Sequence, residues 1–119
     1  MLTGAHVLLY SKDPAADRAF FSDVLQLKSV DAGGGWLIFG LPPAEVAVHP
    51  ADGEASKDRL LHTQLYLMCN DLAATIASLK AKKIECTEVA QERWGIRTTI
   101  VLPSGGEIGL YQPKHPTAF

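Results

Sequence analysis

A segment near the end of this 119-residue chain repeats the pattern of one near its middle. Residues 102–113 read LPSGGEIGLYQP and residues 41–50 read LPPAEVAVHP. Each runs Leu-Pro, a short turn, a glutamate, alternating residues and a closing proline. Glu107 follows Glu45 by 62 positions and Leu102 follows Leu41 by 61, so the second copy holds one more turn residue. A strand sends successive side chains to opposite faces. Val46 and Val48, or Ile108 and Leu110, then face a core, while Glu45, Ala47 and His49, or Glu107, Gly109 and Tyr111, share the other face. The echo extends backwards: His6 and Asp13 precede Gln64 and Asp71 by the same 58 positions. A strand and a helix repeated in the same order over half the chain indicate duplication.

The length suits one domain, in two modules of about 1–50 and 60–119 that share a core. The polar stretch from His49 to Asp58 has neither helical nor strand periodicity, and the linker is placed at about 51–59. A net charge of −2 and a pI near 6.0 leave no electrostatic footprint for nucleic acid. Lys80, Lys82 and Lys83 close a helix, where cations suit the negative end of its dipole. Cys69 and Cys86 have no companion at zinc or disulfide spacing, and a reducing cytoplasm is the expected compartment. The first residues show no export signal, and no apolar run nears the roughly 20 residues that cross a bilayer.

Along the chain, His6 to Ser11 reads as a strand, and Asp13 caps a helix with Pro14 at its first position. Phe20, Phe21, Val24 and Leu25 lie on its apolar stripe. A weak strand around Lys28 to Asp31, a flexible Gly33-Gly34-Gly35 turn and a strand from Trp36 to Leu41 follow. The glycines lack the GxGxxG spacing of a phosphate loop. Glu45 to His49 closes the first half. The second opens with a strand from about Leu61 to Cys69, and Asp71 caps a helix burying Leu72, Ile76 and Leu79. Ile84 to Val89 reads as extended, Trp94 as an exposed loop residue, and Ile96–Leu102 with Glu107–Tyr111 as a hairpin. The fold class is α+β: two β-α-β-β-β modules forming a curved, mostly antiparallel sheet around a cleft.

Alternation sends His6, Trp36, Glu45, Gln64, Tyr66, Arg97, Glu107 and Tyr111 to the sheet face away from the helices. A helix-covered face would be apolar, whereas this one mixes carboxylate, imidazole, amide, guanidinium and aromatic groups. Apolar walls with a few convergent polar groups suit a small-molecule site. The candidate ligand-binding residues are His6, Gln64, Trp36, Tyr66, Arg97, Tyr111 and Trp94. Glu107 and Glu45 are the candidate general bases, or strand-end carboxylates in salt bridges. Arg97 either holds an anionic ligand by paired hydrogen bonds or pairs internally with Glu107. His49 and His62 read as solvent-facing, and no Ser-His-Asp or Cys-His arrangement supports covalent catalysis.

The doubled β-α-β-β-β pattern, the strand opening at His6, the helix text ADRAFFSDVLQLK and the closing LPSGGEIGLYQP resemble the vicinal oxygen chelate superfamily. That group includes glyoxalase I, extradiol dioxygenases and the fosfomycin- and bleomycin-resistance proteins. The resemblance covers essentially the whole chain and implies a homodimer. In metal-using members a histidine or glutamine from each opening strand and a glutamate from a closing strand hold the ion. His6 and Gln64 match the first two positions. The expected carboxylate positions hold Ala47 and Gly109, with Glu45 and Glu107 two residues earlier, about 6.6 Å along a strand. A carboxylate oxygen must come within about 2.0–2.2 Å of a transition metal. If a metal binds, His6, Gln64 and Glu107 are its candidate ligands. The family's glycine at the first helix exit is Gln26 here, which puts the left-handed turn in question.

Three functional readings follow from the resemblance. One is a small-molecule-binding protein of bleomycin-resistance type without cofactor. Another is a lyase, isomerase or dioxygenase that uses a divalent metal as Lewis acid on a vicinal-oxygen substrate. The last is a metal-free lyase or isomerase with a glutamate base.

Overall fold

In a computed structural model the described residues are 6–45, 47, 63–117 and 119. Two helices and two sheets make a mixed α+β fold. Helix α1 (Pro14–Asp23) begins as its sequence dictates: Pro14 occupies the first turn and the Asp13 carboxylate accepts the Ala16 N–H at 3.2 Å. Strands β1 (Ser29–Asp31) and β2 (Leu37–Phe39) form an antiparallel pair, Val30 opposite Ile38. The Asp31 carboxylate accepts the N–H groups of Gly33 and Gly35 in the turn between them. The expected weak strand is therefore β1.

The remaining elements are β3 (Tyr66–Met68), α2 (Leu72–Ala81), β4 (Ala90–Gln91), β5 (Gly95–Val101) and β6 (Glu107–Pro113). They build a four-stranded sheet in the order β3-β6-β5-β4. β6 pairs parallel with β3, Tyr66 opposite Gly109, and antiparallel with β5, Arg97 opposite Tyr111. Asp71 caps α2 by accepting the Ala74 N–H at 3.0 Å, and the Gln112 side chain accepts the Leu72 N–H at 2.9 Å. Two of the N–H groups that the first turn leaves without an intrahelical partner are thus satisfied.

Several expectations are corrected. Residues 6–11 form no strand, and Val7, Leu8, Leu9 and Tyr10 are exposed. A strand is stable only where a neighbour takes up its backbone groups; β3 has β6, whereas residues 6–11 have no ladder among the described residues. The closing strand expected at Glu45–His49 lies largely outside the described residues, as do His49 and His62. Ile84–Val89 is not a continuous strand. Thr87 N–H bonds the Thr99 carbonyl and Val101 N–H bonds the Glu85 carbonyl, yet only the Cys86–Ile100 bridge and β4 complete the ladder.

Gln26 also departs from expectation. Its φ is +56°, so the left-handed turn forms without a glycine, and Leu27 N–H bonds back to the Phe21 carbonyl. Lys83, with φ +62°, ends α2 in the same way. A side chain in this region costs energy that glycine avoids.

The core joins α1, α2 and the sheet: Phe20, Leu72, Leu79, Ile100, Leu102, Ile108 and Leu110 are buried, with Ile76 packed partly against them. Thr98, fully buried on β5, donates its hydroxyl to the Thr87 carbonyl at 2.6 Å. Asp17 of α1 is buried too. It accepts the Ser104 N–H and hydroxyl at 3.1 and 2.8 Å, and the Ser11 hydroxyl at 2.6 Å. One carboxylate thereby fastens the first helix to the β5–β6 turn, 87 positions away. Cys69 and Cys86 are free thiols, and burial pushes the Cys86 thiol up. No helix among the described residues is long and apolar enough to cross a membrane.

Two substitutions test this account. Gln26→Gly relieves the left-handed backbone and raises stability by about 0.5–1 kcal/mol in urea unfolding. Asp17→Ala leaves the half-buried Ser104 and Ser11 donors without their acceptor and lowers it by about 1–3 kcal/mol.

Candidate functional site

β6 sorts its side chains between two faces. Ile108 and Leu110 enter the core, so Glu107, Gly109 and Tyr111 take the opposite face. Sheet register then aligns two rows across that face: Thr99, Gly109 and Tyr66, and beside it Arg97, Tyr111 and Met68.

Gly109 shapes the first row. A Cβ at this position would overlap the Tyr66 ring. The missing side chain lets Tyr66 lie flat against the β6 backbone, a close approach that glycine alone permits. From there Tyr66 meets Trp94 and Tyr111 edge to face, with centroids 5.8 Å away in each case; Trp94 and Tyr111 are 5.2 Å apart. Edge-to-face contact sets the positive rim of one ring against the negative face of another, and each pair adds about 0.5–1.5 kcal/mol beyond area burial. Trp94, expected as an exposed loop residue, is half-buried in this cluster.

Charged groups surround the rings. His115 stacks on Tyr111 at 6.0 Å and its Nε2 lies 3.1 Å from the Tyr111 hydroxyl. The same nitrogen is 3.9 Å from Glu45 Oε2. Burial, and secondarily the negative charge of Glu45, push the Tyr111 hydroxyl above its ordinary range. Arg97 donates to Glu92 at 3.0 Å, which replaces the expected internal pair with Glu107. Glu107, exposed at the start of β6, accepts the Thr99 hydroxyl at 2.6 Å instead. Arg97 finds Glu92 because the short β4–β5 connection returns that carboxylate beside it, whereas Glu107 stands opposite Val101.

The structure therefore brings together Tyr66, Trp94, Tyr111 and Glu45, with Arg97 opposite Tyr111. The two candidate bases have different surroundings, Glu45 at Tyr111 and His115, Glu107 at Thr99. Trp36 is 63% exposed and lies against Arg18 of α1, whose guanidinium sits 4.8 Å from its ring centroid. His6 and Gln64 are exposed. Among the described residues no three His, Cys, Asp or Glu side chains converge as metal ligands. At Gly109, where the resemblance calls for a ligating carboxylate, the space is taken by Tyr66, so the residues present there do not fit the metal site of metal-using relatives. A shallow, mostly apolar depression of about 260 Å³, lined by Leu72, Ile76, Val89 and Ile96, involves none of these aromatic residues.

His115 is not among the residues that the sequence pattern singles out. Its signal is the β6 alternation carried past Pro113, which puts position 115 in phase with 107, 109 and 111.

Comparison with solved structures places this geometry among known folds. TnmS3, an antibiotic binding protein from Streptomyces sp. CB03234, aligns with TM-score 0.61 at 20% identity over 96% of this chain and 100% of its own. The chain has the glyoxalase/bleomycin-resistance fold. UcmS2 aligns with TM-score 0.62 at 17% identity, covering 93% of this chain and 98% of that one. Lactoylglutathione lyase from Agrobacterium tumefaciens gives 0.56 at 18% identity, covering 92% of both chains. No protein-family model and no curated protein matches the sequence.

The raised Tyr111 hydroxyl has a measurable consequence. Its neutral form is favoured by folding, so this contribution is complete below about pH 10, where an unfolded tyrosine ionises, and is lost as pH rises through the higher folded value. Glu45→Gln removes one of the two causes and lowers the alkaline midpoint of Tyr111 ionisation, read by absorbance near 295 nm against Tyr111→Phe.

Proposed function

We propose that this chain binds a small, flat organic molecule against the Tyr66–Trp94–Tyr111 face, without the metal of metal-using relatives. The observation that carries this reading is the Tyr66 ring resting on Gly109. The position that would supply a ligating carboxylate instead supports an aromatic wall. Aromatic faces offer a large apolar area, and Glu45, Arg97 and His115 supply polar groups of both signs at its edge. TnmS3 is an antibiotic binding protein, which supports a binding role; the lyase of the same fold supports catalysis equally, so the argument rests on the site.

This reading takes the chain as two β-α-β-β-β modules around a cleft and as a homodimer in the cytoplasm. The sequence echo and the order β3, α2, β4, β5, β6 support the modules. Leu8, Tyr10, Val30 and Trp36 are each between 60% and 89% exposed, and large apolar side chains left in water suit burial against a second copy. The two free cysteines accord with a reducing compartment. A metal-free lyase or isomerase is the second reading, favoured by the juxtaposition of Glu45, Tyr111 and His115.

A thermal-shift screen of uncharged aromatic compounds and divalent metals, followed by calorimetry, tests the proposal. Trp94→Ala and Tyr66→Ala each weaken the aromatic ligand by roughly three- to tenfold, the loss of one ring contact. Stoichiometric nickel, zinc, iron or manganese retained through chelator-free purification, with no aromatic compound bound, rejects it. Turnover of a bound compound that disappears in Glu45→Gln selects the second reading.

A further inference from the structure

Tyr111 is only 7% exposed although it stands on the sheet face away from the core. Three of its covers belong to the sheet and its turns. The ring lies against the backbone at Gly95, where a Cβ would meet it, and Tyr66 and Trp94 flank it edge to face. The fourth cover is His115, whose imidazole stacks on the phenol ring at 6.0 Å with 27° between the planes. Its Nε2 lies 3.1 Å from the Tyr111 hydroxyl and its Nδ1 2.7 Å from the Pro116 carbonyl. A carbonyl only accepts, so Nδ1 carries the proton of the neutral ring, and Nε2 accepts the phenol O–H. The Glu45 carboxylate, 3.9 Å from Nε2, is beyond hydrogen-bond distance of it.

We propose that His115 is an internal stand-in for the ligand of this face: a flat heteroaromatic ring with an in-plane acceptor nitrogen, which binds by displacing the imidazole from Tyr111. The ligand chemistry rests on the aromatic-face reading above, which it deepens.

The imidazole displays what the place on Tyr111 accepts. A planar ring covers the phenol, and a lone pair in the plane of that ring takes the phenol hydrogen. Burial, and secondarily the negative charge of Glu45, raise the Tyr111 hydroxyl, which therefore remains a donor at neutral pH. A ring without a lone pair would leave that donor without its acceptor.

The imidazole is also the member of the cluster that can leave. Tyr66 is fixed on β3, and Trp94 is held by its carbonyl, which accepts the Lys114 N–H at 2.8 Å. Beyond His115 the hydrogen bonds among the described residues stay within the segment, the Thr117 hydroxyl donating to the Phe119 carbonyl. One stack and one hydrogen bond hold the imidazole to Tyr111, and its side chain is 30% exposed. Swinging it outwards leaves every pair of the β5–β6 ladder in place.

Equilibrium dialysis of quinoline and naphthalene compares one shape with and without the ring nitrogen. It is run at about pH 8, where imidazole and quinoline are uncharged. Quinoline binds roughly three- to tenfold tighter, the yield of one hydrogen bond, and the preference disappears in Tyr111→Phe. In His115→Ala both compounds bind roughly three- to tenfold tighter, because no internal ring has to leave. Free imidazole refills the vacated place, so it competes with quinoline more strongly in His115→Ala than in the unaltered chain. Thermal melts check that each variant folds. Equal affinity for the two compounds, or a preference that survives Tyr111→Phe, overturns the acceptor nitrogen and the proposal with it. Quinoline binding that is unchanged or weaker in His115→Ala, or no added competition by imidazole there, makes the imidazole part of the wall and overturns displacement. Failure of both compounds to bind, while other uncharged aromatic compounds do, overturns the heteroaromatic class alone. No binding by any aromatic compound removes the aromatic-face reading as well.

Discussion

The central position of β6 is the constraint on which the rest depends. Its backbone is satisfied on both sides, parallel to β3 and antiparallel to β5. A strand held in this way has no freedom of register, because a slip of one residue would exchange its two faces. Ile108 and Leu110 are thereby committed to the core and Tyr111 to the aromatic face. Core stability and site geometry are two consequences of one pairing.

That pairing also explains why the sheet gains a parallel edge. Asp71 starts α2 two positions after Cys69, whose N–H still bonds the Tyr111 carbonyl. The Gln112 side chain, projecting from β6, accepts the first free N–H of the same helix. Helix and strand are thus bonded to β6 at adjacent points, and Leu72 and Leu79 are delivered to the core. The core also takes Phe20 from α1, while Asp17 anchors that helix to the β5–β6 turn. A buried carboxylate is tolerated there because three donors satisfy it.

Loss of a side chain at Gly109 has chemical consequences. A carboxylate at this point would face the sheet's open side; glycine yields the volume to Tyr66, which recruits Trp94 and Tyr111. Electrostatics around the cluster are local and mixed in sign, with Arg97 held by Glu92 and Glu45 beside His115 and Tyr111. The same fold can therefore serve unlike chemistries through a few positions on one face.

Helix starts, the β5–β6 hairpin and the apolar face of β6 were legible in the sequence because each depends on neighbours within a few residues: Asp13 and Asp71 on the helices they cap, Ile108 and Leu110 on strand alternation. The left-handed exit at Gln26 was less so, since the missing glycine is outweighed by the hydrogen bonds that close the helix. The partner of Arg97, the half-burial of Trp94, the contacts of His115 with Tyr111 and the lack of a ladder at residues 6–11 among the described residues were decided only by tertiary structure. Each depends on which segment lies alongside, a contact between residues distant in the chain or across a turn, and periodicity carries no information about that. Sequence alone settled which side chains of β6 share a face, because alternation is local; the folded chain settled which of them touch.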